Sequence, residues 1–524
     1  MTNFTAGNIS GSQVLVDATT STSDSLYADY FNELRQSRAC SAYVGRTEQS
    51  EYYCDGTADD VQIQAAIDAI ATAGGGSVHL GPGTFTTTSR IVLKNQVNLI
   101  GSGWDTVLTI PDNLITIHSV VECDNSADGM TIAHLQINGN DQNNTSGATD
   151  DGHGIDATKS NSTPLSTNVK IFDCWIHNTR NSCVVLRDRT QVLLCRIGNA
   201  YSDHWAYYSN SNNSKIMGCD FYGYFNNEGI VFSTSDADAK SLHDVFTNNT
   251  VNNLAHHPTA GGANEIDDME YVLQLRDGAH HCIVANNSFT IGSDIIGYNI
   301  VRNVGTENMI SGNTMEGDPI ESSEFGAAIS IPNDGAVKNS IIGNTIMDFG
   351  GRGIQVREGE VNIVGNTIIG TSTKRAITVW ARERSIEKVN ISNNYIDVDD
   401  DGIWLRTTDD YTFSTTKVTD NHITASGDAI INAENATILK NNLGFITENS
   451  GTGSITAAVT SDIITHGLDY TPAATDITIT LTENPTNTPG AIWVDTIGAT
   501  YFTVNCENVP GATNLDFSWA VRKV

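Results

Sequence analysis

The stretch Val361-Asn362-Ile363-Val364-Gly365-Asn366-Thr367-Ile368-Ile369 decides the fold. Ile363 stands three places before Asn366 and Ile368 two places after it, and the same spacing returns through the middle of the chain. Ile391 and Ile396 bracket Asn394; Val418 and Ile423 bracket Asn421. The central position reads, in order, Leu135, Cys174, Cys195, Cys219, Asn249, Asn287, Asn313, Asn344, Asn366, Asn394, Asn421 and Asn441, at intervals averaging about 28 residues, a length typical of a solenoid. In such a chain each unit buries its apolar face only against its neighbours.

The apolar residues are Ile and Val at spacing two, separated by Gly, Asn and Asp, so the units are strands and not helices. A further strand opens some 11 to 20 residues before most markers, at Gly154-Ile155, Gly229-Ile230, Gly353-Ile354, Ala376-Ile377, Gly402-Ile403 and Ala429-Ile430. Strands this short close a core only by stacking in parallel at about 4.8 Å per coil. The expected fold is therefore all-β, a right-handed parallel β-helix. Asn suits an internal turn ladder, because its amide bonds the same amide one coil on and tolerates turn geometry. Cys174, Cys195 and Cys219 take that position in consecutive coils and are expected as free thiols, since side chains stacked in parallel are poorly aimed for a disulfide.

Composition narrows the function. The chain has 524 residues, 61 Asp+Glu against 28 Lys+Arg and a formal charge of −33, which argues against nucleic acid as a partner. An acidic chain poor in Lys suits concentrated salt, where the Debye length falls to about 3 Å; an ordinary acidic extracellular β protein is the other reading. The nine Cys show no CxxC spacing, so no metal cluster is expected. No apolar run is long enough to span a membrane, and Met1-Thr2-Asn3-Phe4-Thr5 lacks the basic and apolar regions of a signal peptide.

In chain order, residues 1–50 read as a Ser/Thr-rich leader, a flexible linker or an attachment segment that orders on a partner. Residues 51–129 hold a capping helix and the first coils. Asp55-Gly56-Thr57-Ala58-Asp59-Asp60 leads into an amphipathic helix over Val61 to Ala73, with Asp59 or Asp60 available to cap it. Gly74-Gly75-Gly76 ends it, and Pro82-Gly83 turns into Thr84-Phe85. Such a helix would cover the open end of the strand stack. Residues 130–446 form the β-helix proper. Residues 451–524 alternate apolar and polar around Pro-Gly turns and read as a small β-sandwich.

The Asp-Gly start, the helix with Ala66-Ile67, the Gly-rich strand, Pro82-Gly83 and Val97-Asn98-Leu99-Ile100-Gly101-Ser102-Gly103 together resemble the N-terminal module of the pectate-lyase-like superfamily, in particular of viral tailspike proteins. With the coils, the resemblance covers roughly residues 54 to 446. It implies that the first strand of each coil and its loops form a carbohydrate groove, that the chain is a homotrimer, and that residues 1–50 attach it to other virion tail proteins. The C-terminal run His466-Gly467-Leu468, Trp493 and Phe517-Ser518-Trp519 is similar to small domains that follow β-helices in viral spikes, which implies trimerisation or glycan binding.

Period-two alternation assigns the outward side chains of those first strands. Aligned on Gly353-Ile354-Gln355-Val356-Arg357, they are Val185/Arg187, Gln274/Arg276, Gln355/Arg357, Thr378/Trp380 and Trp404/Arg406, with Asp156 and Tyr207 on earlier strands. The arginines either tie down turns through Asp188, Asp277 and Glu358, or bind acidic or hydroxylated sugars as planar donors. Trp380, Trp404 and Tyr207 offer faces for sugar stacking, or pack under loops. Acids cluster in the preceding loops. Adjacent coils place two carboxyls near the ~5 Å of retaining glycoside hydrolysis and alternate coils near the inverting distance, so Glu228 and Glu270 are the expected catalytic pair, with Asp203 as alternative partner. A lyase would use Arg276 or Arg302 as base, and Asp267-Asp268 could then hold Ca²⁺; otherwise no cofactor is expected.

The expectation is a viral tail spike or fibre that binds a host surface glycan and cleaves it, by hydrolysis rather than elimination. A secreted microbial polysaccharide-degrading enzyme and a non-catalytic β-helical adhesin are the alternatives.

Overall fold

The computed structural model describes residues 40–114, 116–144, 148–149, 152–157, 167–202, 204–209, 211–225, 228–232, 241–254, 271–291, 299–317, 326–332, 337–370, 375–382, 384–408, 410–483 and 486–523. Three long parallel sheets run the length of the stack. Sheet A has 16 strands, ending at Ile438–Lys440; sheet B has 13, from Gly83–Thr86 to His422–Ala425; sheet C has 13, from Ile91–Leu93 to Ile430–Ile431. One coil visits C, A and B in turn: Arg352–Val356, Glu360–Val364, the corner at Asn366, then Thr367–Gly370. This is the right-handed parallel β-helix expected from the Ile/Asn spacing.

Register is kept because a one-residue slip would turn every apolar side chain outward. Ile354 faces Ile377, and Ile377 faces Ile403. For every marker but Asn441, the residue three before it and the residue two after it, such as Ile363 and Ile368, line sheets A and B from inside and are buried. Between Tyr208 and Phe289 aromatic rings fill the interior: Tyr208 stacks on Phe232 at 4.1 Å, and Phe221 leads to Phe246 at 5.6 Å.

The corner between sheets A and B is an asparagine ladder of eight residues. Asn366 uses its whole amide: Nδ2 donates to Ile341 O and to Asn394 Oδ1, both at 3.0 Å. Its Oδ1 accepts from Asn344 N at 2.9 Å and from Asn344 Nδ2 at 3.0 Å. The chain of amides ends at Asn442, which accepts from Asn421 Nδ2 at 2.9 Å, and not at Asn441. Asn441 instead sits one place earlier, at φ 55°, in a left-handed column that also holds Gly365, Asn393 and Asp420. The spacing misled here because Leu443 imitates the inward apolar residue, yet it is 64% exposed while Leu439 is buried. Towards the N-terminus Cys174, Cys195 and Cys219 replace Asn; all three are buried free thiols, and Cys219 Sγ accepts from Cys195 N at 3.4 Å.

A second polar column precedes the strands of sheet A. Ser214 N donates to Asp244 Oδ1 at 2.7 Å, Cys282 N to Asn308 Oδ1 at 2.8 Å and Asn308 N to Asn339 Oδ1 at 2.9 Å. Helix α1 (Asp60–Thr72) covers the N-terminal end with Ile63, Ala66, Ile67 and Ile70 in the core. Neither expected aspartate caps it. Asp59 accepts from Gly56 N and Thr86 N and pairs with Arg46, and Asp60 accepts from Thr88 N, so both tie the helix to neighbouring strands. Ser41–Gly45 pairs in parallel with Gly76–Leu80, so sheet A begins inside the stretch read as leader. At the other end, Glu448–Ile455, Leu515–Arg522 and Ile477–Leu481 form one antiparallel sheet and Ser461–Thr465, Tyr501–Cys506 and Ile492–Asp495 another. No described helix is long and apolar enough to cross a membrane.

Candidate functional site

Sheet C presents one continuous outer column. Glu122, Asp156, Val185, Tyr207, Val231, Gln274, Arg302, Ser330, Gln355, Thr378 and Trp404 are register partners in that order. Their chain neighbours, such as Ile354 and Val356, are fully buried inside, so alternation turns this column outward. The sequence alignment of the first strands holds for the first member of each pair: Val185, Gln274, Gln355, Thr378 and Trp404 share the column; of the second members, Trp380 and Arg406 face each other, and Arg187, Arg276 and Arg357 lie just past the strand ends.

Three zones follow along the axis. At the N-terminal end Glu122 and Asp156 stand side by side on adjacent coils, both buried, with Arg90 bonded to Glu122 at 2.6 Å. Arg187 is buried too, and its Nη1 donates to Ser209 O at 2.8 Å, which makes it a turn-binding residue. Asp188, its expected acid, accepts instead from Asn212 Nδ2 at 3.0 Å.

The middle zone centres on Glu228. Its Oε1 accepts from Arg276 Nη2 at 3.0 Å, while Arg276 Nε donates to Gln274 Oε1 at 2.9 Å. His204 Nδ1 donates to the Glu228 carbonyl, 2.8 Å away, and lies 3.8 Å from Oε2, and the His204 ring is 5.3 Å from that of Tyr207. The Glu228 carboxylate is thus held by Arg276, with His204 between it and the Tyr207 ring. Arg302 lies over the Tyr271 ring at 4.9 Å. Glu270, Asp203, Asp267 and Asp268, the expected partners of Glu228 and the expected Ca²⁺ position, lie outside the described residues.

The C-terminal zone is made of arginine and tryptophan. The Trp380 ring has guanidinium carbons of Arg406, Arg382 and Arg357 at 4.2, 5.1 and 5.5 Å from its centroid, and Trp404 has those of Arg375 and Arg406 at 4.0 and 4.8 Å. Trp380 is only 8% exposed, so its faces are occupied by guanidinium and not open to a sugar ring. Glu358 bonds Arg384 at 2.7 Å, and Arg375 pairs with Asp401 at 3.3 Å. Gln355 Nε2, Thr378 Oγ1 and Trp380 Nε1 are buried with no hydrogen-bond partner among the described residues.

Sequence reasoning missed Glu122, Arg90, Arg352, Arg375 and Arg382. Glu122 was within reach: Val121-Glu122-Cys123 repeats the apolar–polar–apolar pattern one coil before Ile155-Asp156. The arginines were not, because they lie at strand ends, where alternation says little about direction.

The three stacked parallel sheets define a right-handed parallel β-helix. Solved structures with the same architecture include the tailspike protein gp49 of Pseudomonas phage LKA1, at 13% identity and a TM-score of 0.57 over 89% of this chain and 93% of that one. A tailspike mutant of E. coli bacteriophage HK620 in complex with a hexasaccharide gives 13% identity and a TM-score of 0.55 over 94% of each chain. The A-module of the Azotobacter vinelandii mannuronan C-5 epimerase AlgE6 gives 16% and 0.50, over 74% of this chain and 96% of that one. At these identities the likeness is one of fold. No protein-family model and no curated protein matches the chain.

Proposed function

We propose that the chain is a viral tail spike or fibre, acting as a homotrimer, that binds a host surface polysaccharide along sheet C and cleaves it by hydrolysis. The observation that carries this is the outer column itself: eleven register partners on adjacent coils, rich in carboxylate, amide, guanidinium and aromatic groups, on a fold whose likeness to two phage tailspikes spans 89% and 94% of the chain. Nine of the eleven are polar or aromatic, with Val185 and Val231 among them, and so many polar groups on one sheet face favour ligand binding over a purely aliphatic wall.

Glu228 is the carboxylate favoured for catalysis among the described residues, bonded by Arg276 and close to His204, whose ring lies against Tyr207. A second carboxyl on an adjacent coil, at roughly 5 Å, suits retention of configuration; Glu270 and Asp203 are the proposed partners. The charge of −33 further supports work in concentrated salt.

The experiment is digestion of host surface polysaccharide by protein of measured solution mass, at low and at molar salt, reading reducing ends and the ultraviolet absorbance of unsaturated sugars. Reducing ends without absorbance, from a trimer and lost in Glu228→Gln with binding retained, support the reading. Absorbance makes it a lyase, and full activity in Glu228→Gln removes that residue. A monomer counts against the spike, and activity confined to low salt against the saline setting.

A further inference from the structure

We propose that sheet A of each copy lies against sheet B of the next, a lysine-bearing face on an acidic one, which leaves sheet C facing outward. This rests on the homotrimeric reading above and names the surfaces that make it. Charge separates the faces. Five of the chain's eleven lysines stand on strands of sheet A, at Lys170, Lys215, Lys388, Lys417 and Lys440, and no described strand of sheet B or C carries one. Sheet A strands hold only two acids, Glu360 and Glu387, and no arginine, so they are net positive in a chain of formal charge −33. Sheet B strands are net negative, with Asp220, Glu316 and Asp397 against Arg196. A second copy of this chain therefore brings the complement of sheet A.

Height decides whether the faces fit. A threefold axis parallel to the stack carries one copy onto the next with no shift along it, so sheet A of a coil meets sheet B of the same coil. Lys215 shares its coil with Asp220, and Lys388 shares its coil with Asp397, with Lys417 one coil, about 5 Å, further on. Asp220 pairs with Arg196 at 3.5 Å and Lys388 with Glu360 at 3.7 Å, but Lys215, Lys417 and Asp397 form no ion pair with any described residue. Lys170 and Lys440, near the ends, have no strand acid on sheet B at their height. Apolar residues coincide as well: Ile342 on sheet A shares its coil with Met347 on sheet B, and Val364 with Ile369. Ile342 and Ile369 are each 39% exposed. A hollow of about 300 Å³ opens on sheet A between Glu360, Lys388 and Lys417, and at its height sheet B raises the exposed Tyr395.

The corner between the two sheets leaves room for the axis. From Ala133 to His422 it is two residues long in every coil, so the longer loops of those coils all flank sheet C. At its tip eight consecutive coils, from Leu194 to Asn393, carry an uncharged residue in left-handed backbone, four of them glycine. Left-handed φ by itself favours Gly and Asn. It does not favour Leu194, which stands at φ 53° and is 57% exposed. Burial against its two symmetry copies accounts for an apolar side chain there.

The test is zero-length amine–carboxyl cross-linking of the full chain at low salt, with its mass in solution measured alongside. Links from Lys388 or Lys417 to Asp397, and from Lys215 to Asp220, are expected in a particle of three chains' mass. Within one chain these groups point from different faces and form no ion pair, so such a link joins two copies. Asp397→Lys is expected to raise about tenfold the concentration at which the trimer half-dissociates, and adding Lys388→Asp and Lys417→Asp to that chain to recover most of the loss. A trimer whose sheet A lysines link to acids outside sheet B, or to none, overturns the pairing and leaves the homotrimer standing. So does a trimer unmoved by Asp397→Lys. A monomer removes both readings. Cross-linking uses the unaltered chain, so it decides the pairing even where a variant fails to fold.

Discussion

Asn366 and Gln355 belong to the same coil, carry the same amide and are equally hidden, yet they are opposite cases. Asn366 points into the stack and spends two donors and two acceptor sites on protein, at 2.9 to 3.0 Å. Gln355 stands on the outer face of sheet C, and its Nε2 meets no acceptor among the described residues. A buried polar group left unpaired costs roughly 1–3 kcal/mol, whereas a paired one contributes about 1. The inner column is thus built for stability, while Gln355 and Thr378 on the outer one keep bonding capacity that no described residue takes up. That contrast marks the face for a ligand more firmly than any single residue does.

The largest effect expected from breaking this contrast is inside. Asn366→Ala strips the acceptor from Asn344 N and Nδ2 and the donor from Ile341 O, all in the dry corner. Unfolding free energy should fall by about 3–4 kcal/mol, read as a drop in the denaturant midpoint, with glycan affinity of the remaining folded protein unchanged. A loss below about 1 kcal/mol would mean that the ladder is packing and not bonding.

Most of the inner column was legible in the sequence, and the outer one only in part, for a physical reason. An inward position is constrained by every neighbour, so Ile363, Asn366 and Ile368 recur with fixed spacing. Even there the pattern slipped at Asn441, where the last coil has no successor to enforce the register and Leu443 is free to face solvent. Outward positions answer to a ligand, and ligands do not repeat. Alternation still gave the direction of Gln274, Gln355, Thr378 and Trp404. It could not show that three guanidiniums converge on Trp380, because Arg357, Arg382 and Arg406 lie on three different coils.

The second inner column offers an intermediate case, where the residue is charged instead of neutral. Asp244 stands where later coils have Asn308 and Asn339 and accepts from Ser214 N, Ser211 Oγ and Ser241 Oγ. Burial pushes its carboxyl from the ordinary 3.8 up to about 6, against those hydrogen bonds. A raised folded pKa means that the folded chain holds the proton more tightly. The contribution is therefore fully present below pH 3.8 and is lost as pH rises through about 6. Asp244→Asn keeps the acceptor for Ser214 and removes the charge, so at neutral pH it should stabilise by on the order of 2 kcal/mol. Buried Asp141, also raised to about 6 by burial, titrates in both proteins, so the difference between the two stability–pH curves isolates residue 244. A flat difference between pH 4 and 7 would show that Asp244 is not held dry.

The smallest effect is the most discriminating, because it asks the outer column to behave oppositely in two assays. Thr378 is fully buried and its Oγ1 has no partner among the described residues. Valine has nearly its shape without the hydroxyl. Replacing an unpaired buried hydroxyl by a methyl removes a desolvation penalty, so Thr378→Val should leave thermal stability unchanged or raise it, by up to about 1 kcal/mol. If the hydroxyl waits for a sugar substituent, the same variant should bind glycan several-fold more weakly. Stability and affinity moving apart is the signature of a residue kept for a ligand. Should Thr378→Val lose stability instead, the hydroxyl is bonded within the fold, and the outer column is no different in kind from the asparagines behind it.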